Sequence, residues 1–144
     1  MGYTSILVPI DGSEASKVAL EEAVEIAKRN GASIIILHVF PNRADLIEVY
    51  KISNLKSAFR EEGEKLLEEA CRYAAQKGIS AVIRLTEGKP CEEIVKTAEA
   101  QNCDLIVMGS HGHNTLSKIL LGSVTQRVLG NAPCPVMVVR EKKK

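Results

Sequence analysis

Three glycines in one short segment have the spacing to expose backbone amides to an anion. Gly109 and Gly112 follow an apolar run, and Gly122 comes directly before Ser123 and a helical pattern. A glycine permits positive φ and lets the backbone approach a ligand, because no Cβ stands in the way. The first N–H groups of a helix are unpaired, and the helix dipole favours negative charge there. We therefore expect a phosphate site in which Gly122 and Ser123 present free N–H groups and the hydroxyls of Ser123 and Thr125 add hydrogen bonds.

A carboxylate lies in a second loop, at the end of the first apolar run. Asp11 and Gly12 follow Ser5–Ile10, a pattern typical of a buried strand that ends in a turn. An aspartate at such a place serves either as a turn or helix-cap residue or as a ligand contact. Its position at the end of a strand, beside the expected crevice, favours the ligand contact for Asp11.

The histidines differ in what their surroundings predict. His38 lies within an apolar strand pattern, where a hydrogen-bonded core histidine is expected. His111 and His113 lie in the glycine loop, where solvated side chains are the ordinary case. A phosphate contact for His111 stays open as an alternative. Lys118 is in the middle of the same loop and is left out of the expected site, since its side chain can point to water.

Short apolar runs and longer amphipathic segments alternate along the chain, each typical of a strand or a helix. Ser13 is expected to cap the first helix, with Asn30–Gly31 ending it and Gly78 ending the second. Residues Asn42 to Ser57 lack a clear pattern and are expected to form a loop or irregular helix. The predicted strands are Ser5–Ile10, Ser33–Phe40, Ile79–Thr86, Asp104–Met108 and Pro135–Val139, and the predicted helices follow Ser13, span Leu55–Lys77, begin at Pro90 and span Ser123–Leu129.

Strands separated by helices join in parallel through right-handed crossovers, which predicts a doubly wound α/β fold with helices on both faces of the sheet. In such sheets a ligand binds beyond the carboxyl ends of the strands, where the winding reverses. A strand order of 3-2-1-4-5 would place the Asp11 loop and the glycine loop in one crevice. Periodicity alone does not determine that order.

Composition narrows the class of protein. A length of 144 residues suits one domain, so residues 1–144 are expected to form a single unit. A net charge of +1 argues against a nucleic-acid binder, which needs a basic surface. Neither a signal-peptide pattern nor a membrane-length apolar run is present, so we expect a cytoplasmic protein with no membrane partner. The four cysteines have no CxxC or metal-ligand spacing and are expected to be inert hydrophobic residues, with a disulfide improbable in a cytosol.

Other nucleotide-binding signatures are missing from this sequence. A P-loop needs GxxxxGK[ST], and no such string occurs. A dinucleotide-binding loop needs GxGxxG after the first strand, where this chain has Gly12 alone. A response-regulator receiver would need an acidic cluster at the end of strand one, where Asp11 is the only acid. None of these folds accounts for the glycine loop.

The glycine segment resembles the nucleotide-binding signature of the universal stress protein family, in its ATP-binding branch. Gly109-x-x-Gly112, nine residues and then Gly122-Ser123 match that signature. The similarity extends to the first strand with Asp11-Gly12-Ser13 and to Cys134–Val139 at the end. It implies the 3-2-1-4-5 sheet, also described as adenine nucleotide alpha hydrolase-like. It also implies that the ligand is ATP, or ADP or AMP, with Mg²⁺ as a possible companion.

The resemblance further implies a role for individual residues. Asp11 would contact the ribose or hold a metal ion bound to phosphate. Dimerisation through the last strand is common in the family, and an apolar edge strand also favours pairing. The implied dimer contacts are Val136, Met137, Val138 and Val139, and the implied nucleotide contacts are Pro9, Ile10, Asp11, Val39, Met108, Gly109, His111, Gly112, Gly122, Ser123, Val124 and Thr125.

Two classes of function follow from this pattern. The first is a regulatory stress-response module that binds ATP as a homodimer. The second is a slow ATPase or phosphotransferase that uses the same site, for which Asp11 could hold a metal and His111 could act as a base. Hydrolysis needs a positioned base and cations that neutralise the developing charge, and the signature loop contains no arginine. A structural dimer that binds AMP or no nucleotide is a third alternative.

Overall fold

The computed structural model describes residues 2–41, 53–111 and 121–141, with side chains of the second range from residue 56 onward. Gly112 lies outside this described part. So do residues 42–52, which belong to the segment without a clear pattern. The strands and helices of the described part, numbered in chain order, are β1 Ser5–Pro9, α1 Glu14–Asn30, β2 Ser33–Phe40, α2 Ser53–Gln76, β3 Ala81–Glu87, α3 Pro90–Ala100, β4 Leu105–Gly109, α4 Ser123–Asn131 and β5 Val136–Val139.

The five strands form one parallel sheet in the order β3-β2-β1-β4-β5. In the centre of the sheet Ile6 of β1 lies beside Ile34 of β2 and Leu105 of β4. The chain winds outward to β3 on one side and to β5 on the other, so the direction reverses between β1 and β4. The predicted doubly wound fold and its strand order are confirmed. A crevice is expected at the carboxyl ends of β1 and β4, where their connections part.

Aliphatic side chains cover both faces of the sheet. On one face, α1 and α2 pack on Ile6, Val8 and Ile36 through side chains such as Val24 and Leu67. On the other face, a second core cluster contains residues of α3 and α4 together with the alternate side chains of the strands: Leu7, Ile35, Leu37, Ile94, Ala98, Ile106, Met108 and Val128. Strands buried on both faces explain the nearly continuous apolar runs in the sequence.

Helix α1 begins and ends where local chemistry predicts. The Ser13 side chain accepts a hydrogen bond from the N–H of Ser16, and Gly31 adopts the left-handed conformation at φ 67°. Glu14 lies in the first turn, and Lys28 and Arg29 lie in the last, which suits the helix dipole. The N-terminus of α1 therefore directly follows the loop after β1.

Element ends differ from the sequence expectations by one or two residues in most cases. The expectation of a loop or irregular helix from Asn42 to Ser57 was wrong in part, because α2 begins at Ser53 rather than at the expected Leu55. Strand β3 begins at Ala81 rather than Ile79, whose N–H instead donates to the Ala74 carbonyl and closes the end of α2. These shifts reflect competition between neighbouring hydrogen-bond patterns at element ends. No helix in the described part of the chain is long and apolar enough to cross a membrane.

Asp104 joins β1 and β4 at the amino end of the sheet. Its carboxylate accepts hydrogen bonds from the N–H and hydroxyl of Thr4, at 2.9 and 2.8 Å, and from the N–H of Ser5 at 3.0 Å. Burial alone would raise the pKa of Asp104, but the hydrogen bonds from Ser5 and Thr4 outweigh it and hold the pKa below its ordinary value. Asp104 therefore contributes to the alignment of the two strands that form the crevice.

The cysteines are free thiols. Burial raises the pKa of the Cys103 thiol more than the hydrogen bond from the Ser5 hydroxyl lowers it, and the nearby Asp104 carboxylate adds a smaller increase. Burial also raises the pKa of Cys134, with added contributions from Cys103 and Asp104. A raised pKa leaves less thiolate, the reactive form, which agrees with the expected inert role of these two residues.

Candidate functional site

A cleft of about 320 Å³ opens at the carboxyl ends of β1 and β4, at the point where the winding of the sheet reverses. The lining combines loop residues after these two strands with the starts of α3 and α4. The resemblance implied a set of nucleotide contacts, and every one of them within the described part of the chain lines this cleft. The lining residues are Pro9, Ile10, Asp11, Ser13, Ser16, Leu37, Val39, Pro90, Ile94, Met108, Gly109, His111, Gly122, Ser123, Val124 and Thr125.

The Asp11 loop turns sharply from β1 into α1. Gly12 has φ 85°, a conformation that favours glycine, so the turn explains this residue. Oδ1 of Asp11 accepts a hydrogen bond of 2.9 Å from the N–H of Ser13. The Asp11 side chain is exposed at the cleft. The residue therefore shapes the turn and also presents a carboxylate to the cleft, and its contact with a ligand stays a prediction.

Gly109 ends β4 with ordinary backbone angles, since the described glycines with positive φ are at other positions. A Cβ at Gly109 would lie 2.8 Å from Cβ of Ala15 and 2.9 Å from the Ala15 carbonyl carbon. The positive φ that a glycine permits is therefore not used at Gly109. A side chain is excluded at this position by the close approach of α1, which lies against the end of β4.

The start of α4 supplies backbone donors at one end of the cleft. The N–H of Gly122 donates to the Ser110 carbonyl at 2.8 Å, so the expectation of a free N–H at Gly122 was wrong. Gly122 serves as the N-cap, with φ −65° and ψ 156° and no side-chain cap. Within the described ranges, the N–H groups of Ser123 and Val124 have no acceptor. The donors at this end of the cleft therefore belong to the first helical turn rather than to the glycine before it.

The Thr125 hydroxyl has a partner within the protein. The side chain is 2% exposed, and Oγ1 donates a 2.9 Å hydrogen bond to the Gly109 carbonyl. Its hydroxyl hydrogen is therefore used to join α4 to the end of β4. Thr125 lines the cleft, but as the residue that holds the two walls together.

His111 has neighbours at both ring nitrogens. Nδ1 lies 3.0 Å from Oγ of Ser110, and Nε2 lies 3.3 Å from Oε1 of Glu141. Glu141 follows β5, so this contact links the cleft to the far edge of the sheet. Sequence reasoning missed Glu141, because the two residues are 30 positions apart and meet only through the pairing of β4 with β5.

Apolar side chains form another part of the cleft lining. Leu37 and Val39 of β2, Ile94 of α3 and Met108 of β4 contribute to it, with Pro90 at the start of α3. Val39 and Met108 belong to the implied set, whereas the other three were missed. Pro90 follows β3 at the carboxyl end of the sheet, and this position was the signal that could have placed α3 at the site. A flat apolar ring fits such a surface, while phosphate fits the start of α4.

Asp11 is the one acidic residue among the described residues that line this cleft. The described ranges contain no group of three or more histidine, cysteine, aspartate or glutamate side chains arranged for a metal ion. Mg²⁺ needs only one or two protein carboxylates when phosphate oxygens and waters complete its shell. Asp11 fits that requirement for a metal ion that arrives with a nucleotide.

Both edge strands of the sheet carry apolar side chains. On β5, Val136 packs toward one core cluster and Val139 toward the other, while Met137 is 37% exposed. On β3, Val82 and Ile83 are 60% and 41% exposed. The implied dimer residues therefore lie on an edge, but the opposite edge exposes more apolar side-chain surface.

Known proteins match this sequence along nearly its whole length. The model of the universal stress protein family matches residues 2–140. Universal stress protein YxiE of Bacillus subtilis is 36% identical over 147 aligned residues, which cover 96% of this chain and 99% of the relative. The family signature in the sequence and the independent match therefore point to the same group.

Solved structures share the fold. The structure of the hypothetical protein MJ0577 has 36% identity and a TM-score of 0.88, with all of both chains covered. A universal stress protein solved in complex with cAMP has 27% identity and a TM-score of 0.73, with 97% of this chain and 98% of that chain covered. The five-stranded architecture is therefore that of universal stress protein structures.

Proposed function

The chain belongs to the universal stress protein family, and we propose that it is a cytoplasmic regulatory module that binds an adenine nucleotide in the cleft between β1 and β4. ATP is the proposed ligand, with ADP and AMP as the alternatives. The observation that carries this proposal is that one cleft is lined by the Asp11 loop, by apolar side chains and by the first amides of α4, which have no acceptor among the described residues.

The start of α4 is the proposed phosphate end. The N–H groups of Ser123 and Val124 and the dipole of the helix favour an anion there. Ser123 is exposed and can add its hydroxyl. Hydrogen bonds to charged groups contribute about 1.5–3 kcal/mol each, so three or four can support roughly micromolar binding. Gly122 and Gly112 stay in the proposed phosphate set.

The apolar part of the cleft lining is the proposed base end. Val39 lies at the carboxyl end of β2, and Pro9 and Ile10 lie beside it at the end of β1. Met108 and Gly109 at the end of β4 would flank the ribose. A nucleotide placed this way would contact both the apolar and the amide-lined surface, and the Asp11 carboxylate lies in the same cleft. Mg²⁺ would be held between Asp11 and phosphate.

A relative supports the class of ligand. The universal stress protein solved with cAMP shares 27% identity with this chain across nearly its whole length. An adenine nucleotide therefore fits the same architecture in a related protein. The choice among ATP, ADP and AMP for this chain is decided by titration.

A homodimer through β5 is part of the proposal. This strand ends the sheet, and pairing would cover Met137 and the neighbouring valines at 136, 138 and 139. His111 contacts Glu141 just beyond β5, so a dimer interface there would lie next to the cleft. Nucleotide binding and dimerisation would then influence each other through linked equilibria.

Isothermal titration calorimetry of the full chain with ATP, ADP and AMP, each with and without Mg²⁺, tests the ligand. We expect dissociation constants of about micromolar for at least one of them and no comparable heat with GTP. Mass spectrometry of molecules that co-purify with the protein provides an independent identification. Absence of binding by all three adenine nucleotides would refute the proposal.

A multiple-turnover phosphate-release assay separates the binding module from the slow enzyme. The Nδ1 and Nε2 atoms of His111 already contact Ser110 and Glu141, which favours a role in shaping the cleft over that of a base. We expect turnover well below about 1 per second, the low end for ordinary enzymes. Turnover at or above that value would establish an ATPase instead.

A further inference from the structure

We infer that His38 is a positioning residue for the nucleotide cleft, which it serves by holding the carbonyl group of Ile10 at the start of the Asp11 loop. The inference rests on the proposed function. His38 lies on β2 and does not line the cleft, whereas Ile10 and Asp11 do. Its action would therefore reach the nucleotide through the backbone of the loop.

The contact is a short hydrogen bond between neighbouring strands. Nδ1 of His38 lies 2.8 Å from the carbonyl oxygen of Ile10. A carbonyl oxygen only accepts, so Nδ1 carries the proton, as it does in one neutral tautomer and in the imidazolium. The regular pairing of β1 with β2 runs from Ser5 to Pro9, and the imidazole supplies a donor just beyond it.

Both backbone polar groups of Ile10 make hydrogen bonds. Its N–H donates to the Leu37 carbonyl at 2.8 Å, and its carbonyl accepts from His38. The Ile10 carbonyl and the Asp11 N–H belong to one planar peptide unit. A donor that fixes the carbonyl therefore fixes the direction in which the chain enters Asp11. The Asp11 N–H lies 3.4 Å from Oγ of Ser16, on the opposite side of that peptide unit.

Helix α2 holds the imidazole from its other side. A Cβ at Gly63 would lie 2.6 Å from Cδ2 of His38 and 2.7 Å from Cδ1 of Leu85. Gly63 is buried within the helix, where glycine is otherwise an unfavourable choice. The absence of a side chain there lets the imidazole occupy the space between α2 and the end of β1. The ring is therefore confined in the orientation that reaches Ile10.

The test compares His38→Leu with His38→Asn. Leucine fills similar space without a donor, whereas the asparagine amide can place an N–H near the position of Nδ1. We expect His38→Leu to weaken adenine-nucleotide binding about tenfold and His38→Asn to stay within about twofold of the unaltered chain. Calorimetric titration with ATP, ADP and AMP measures the affinity, and urea unfolding of each variant measures stability separately. The backbone amide NMR signal of Asp11 in the nucleotide-free protein should shift in His38→Leu and return toward its original position in His38→Asn.

A second variant changes the residue of α2 that contacts the His38 ring. Gly63→Ala should displace the imidazole and weaken binding, although residue 63 is not part of the cleft. Combined with His38→Leu it should add little further loss, because both changes remove the same hydrogen bond. Gly130→Ala in α4 is the matched control, since a Cβ there meets no atom within 4 Å.

The outcomes separate the inference from the proposed function. Equal affinity of His38→Leu and the unaltered chain would overturn the role of His38 and leave nucleotide binding intact. An affinity loss in His38→Asn as large as that in His38→Leu would also overturn it. If the unaltered chain binds no adenine nucleotide, the proposed function and this inference fail together.

Discussion

The hydroxyl of Thr125 donates a 2.9 Å hydrogen bond to the carbonyl oxygen of Gly109, which ends the neighbouring strand β4. This bond ties the start of α4 to the sheet and sets the separation of two walls of the cleft. The same helix start carries the N–H groups of Ser123 and Val124, for which the described part of the chain offers no acceptor. The position of the proposed phosphate donors therefore depends on a side chain that has a structural partner.

Removal of this bond should weaken both the fold and the site. Thr125→Val keeps the shape but leaves the Gly109 carbonyl without its side-chain donor, which should cost about 1–2 kcal/mol of unfolding free energy. Nucleotide affinity should fall several-fold as α4 moves. Thr125→Ser retains the donor and should preserve most of the affinity, as measured by calorimetry alongside urea unfolding. Equal affinity in the valine and serine variants would contradict the positioning role of the bond.

Gly122→Val should abolish nucleotide binding while leaving the fold largely intact. The backbone angles of Gly122 are open to any residue, so the effect comes from the added side chain in phosphate space. We expect an affinity loss of more than about 100-fold, equivalent to about 2.8 kcal/mol. Gly130→Val, near the other end of the same helix, is the control and should bind normally. Unchanged affinity of Gly122→Val would show that the phosphates lie elsewhere.

Asp11→Ala should weaken binding less than Gly122→Val, because it removes one contact and does not block the cleft. We expect a loss of about tenfold for ATP in the presence of Mg²⁺. If the carboxylate holds the metal, the benefit that Mg²⁺ gives to ATP binding should disappear in the variant. A variant that keeps the full effect of Mg²⁺ would place the metal away from Asp11.

Asp104 should contribute stability that depends on pH. Because its folded pKa is lowered, its contribution is present above the unfolded pKa of about 3.9 and is lost as pH falls through the lower folded value. Asp104→Asn resembles the protonated acid and should lower the unfolding free energy by about 1–2 kcal/mol at pH 7. The difference from the unaltered chain should shrink toward pH 3. Urea unfolding across this range measures it, with the exposed Glu99→Gln as the control.

Charge placed on the two sheet edges should identify the dimer interface. Met137→Lys on β5 should convert the proposed dimer into a monomer, because a buried unpaired charge opposes strand pairing. Val82→Lys on β3 alters an even more exposed residue and should leave the dimer intact. Sedimentation equilibrium of both variants distinguishes the edges. If Val82→Lys alone produced a monomer, the dimer interface would lie on β3 instead of β5.

The local elements of the fold could be predicted because they depend on neighbouring residues. Ser13 and Gly31 cap α1 as expected, and β2 spans the predicted Ser33–Phe40. The start of α2 was harder to place, because nothing in the sequence from residue 42 to 57 marks it. The eleven implied contacts within the described ranges line one cleft because the strand order implied by the resemblance is the strand order of the sheet.

The structural role of individual glycines was predicted less well. Gly109 was expected to free its backbone for a ligand, but its missing Cβ is needed beside Ala15. Gly122 was expected to offer its own N–H, which Ser110 takes. Each of these contacts joins residues far apart in sequence, so no local pattern contains them.

By itself the sequence determined the alternation of strands and helices, the aliphatic core and the positions of the glycine-containing loops. Those properties arise from periodicity, capping and the absence of side chains, which act over a few residues. Only the tertiary structure decided that the Gly122 amide is already bonded, which hydroxyl joins the cleft walls and which imidazole holds the Ile10 carbonyl. Hydrogen bonds of this kind depend on the three-dimensional separation of donor and acceptor, and that separation is set only when the sheet and both helical layers have packed together.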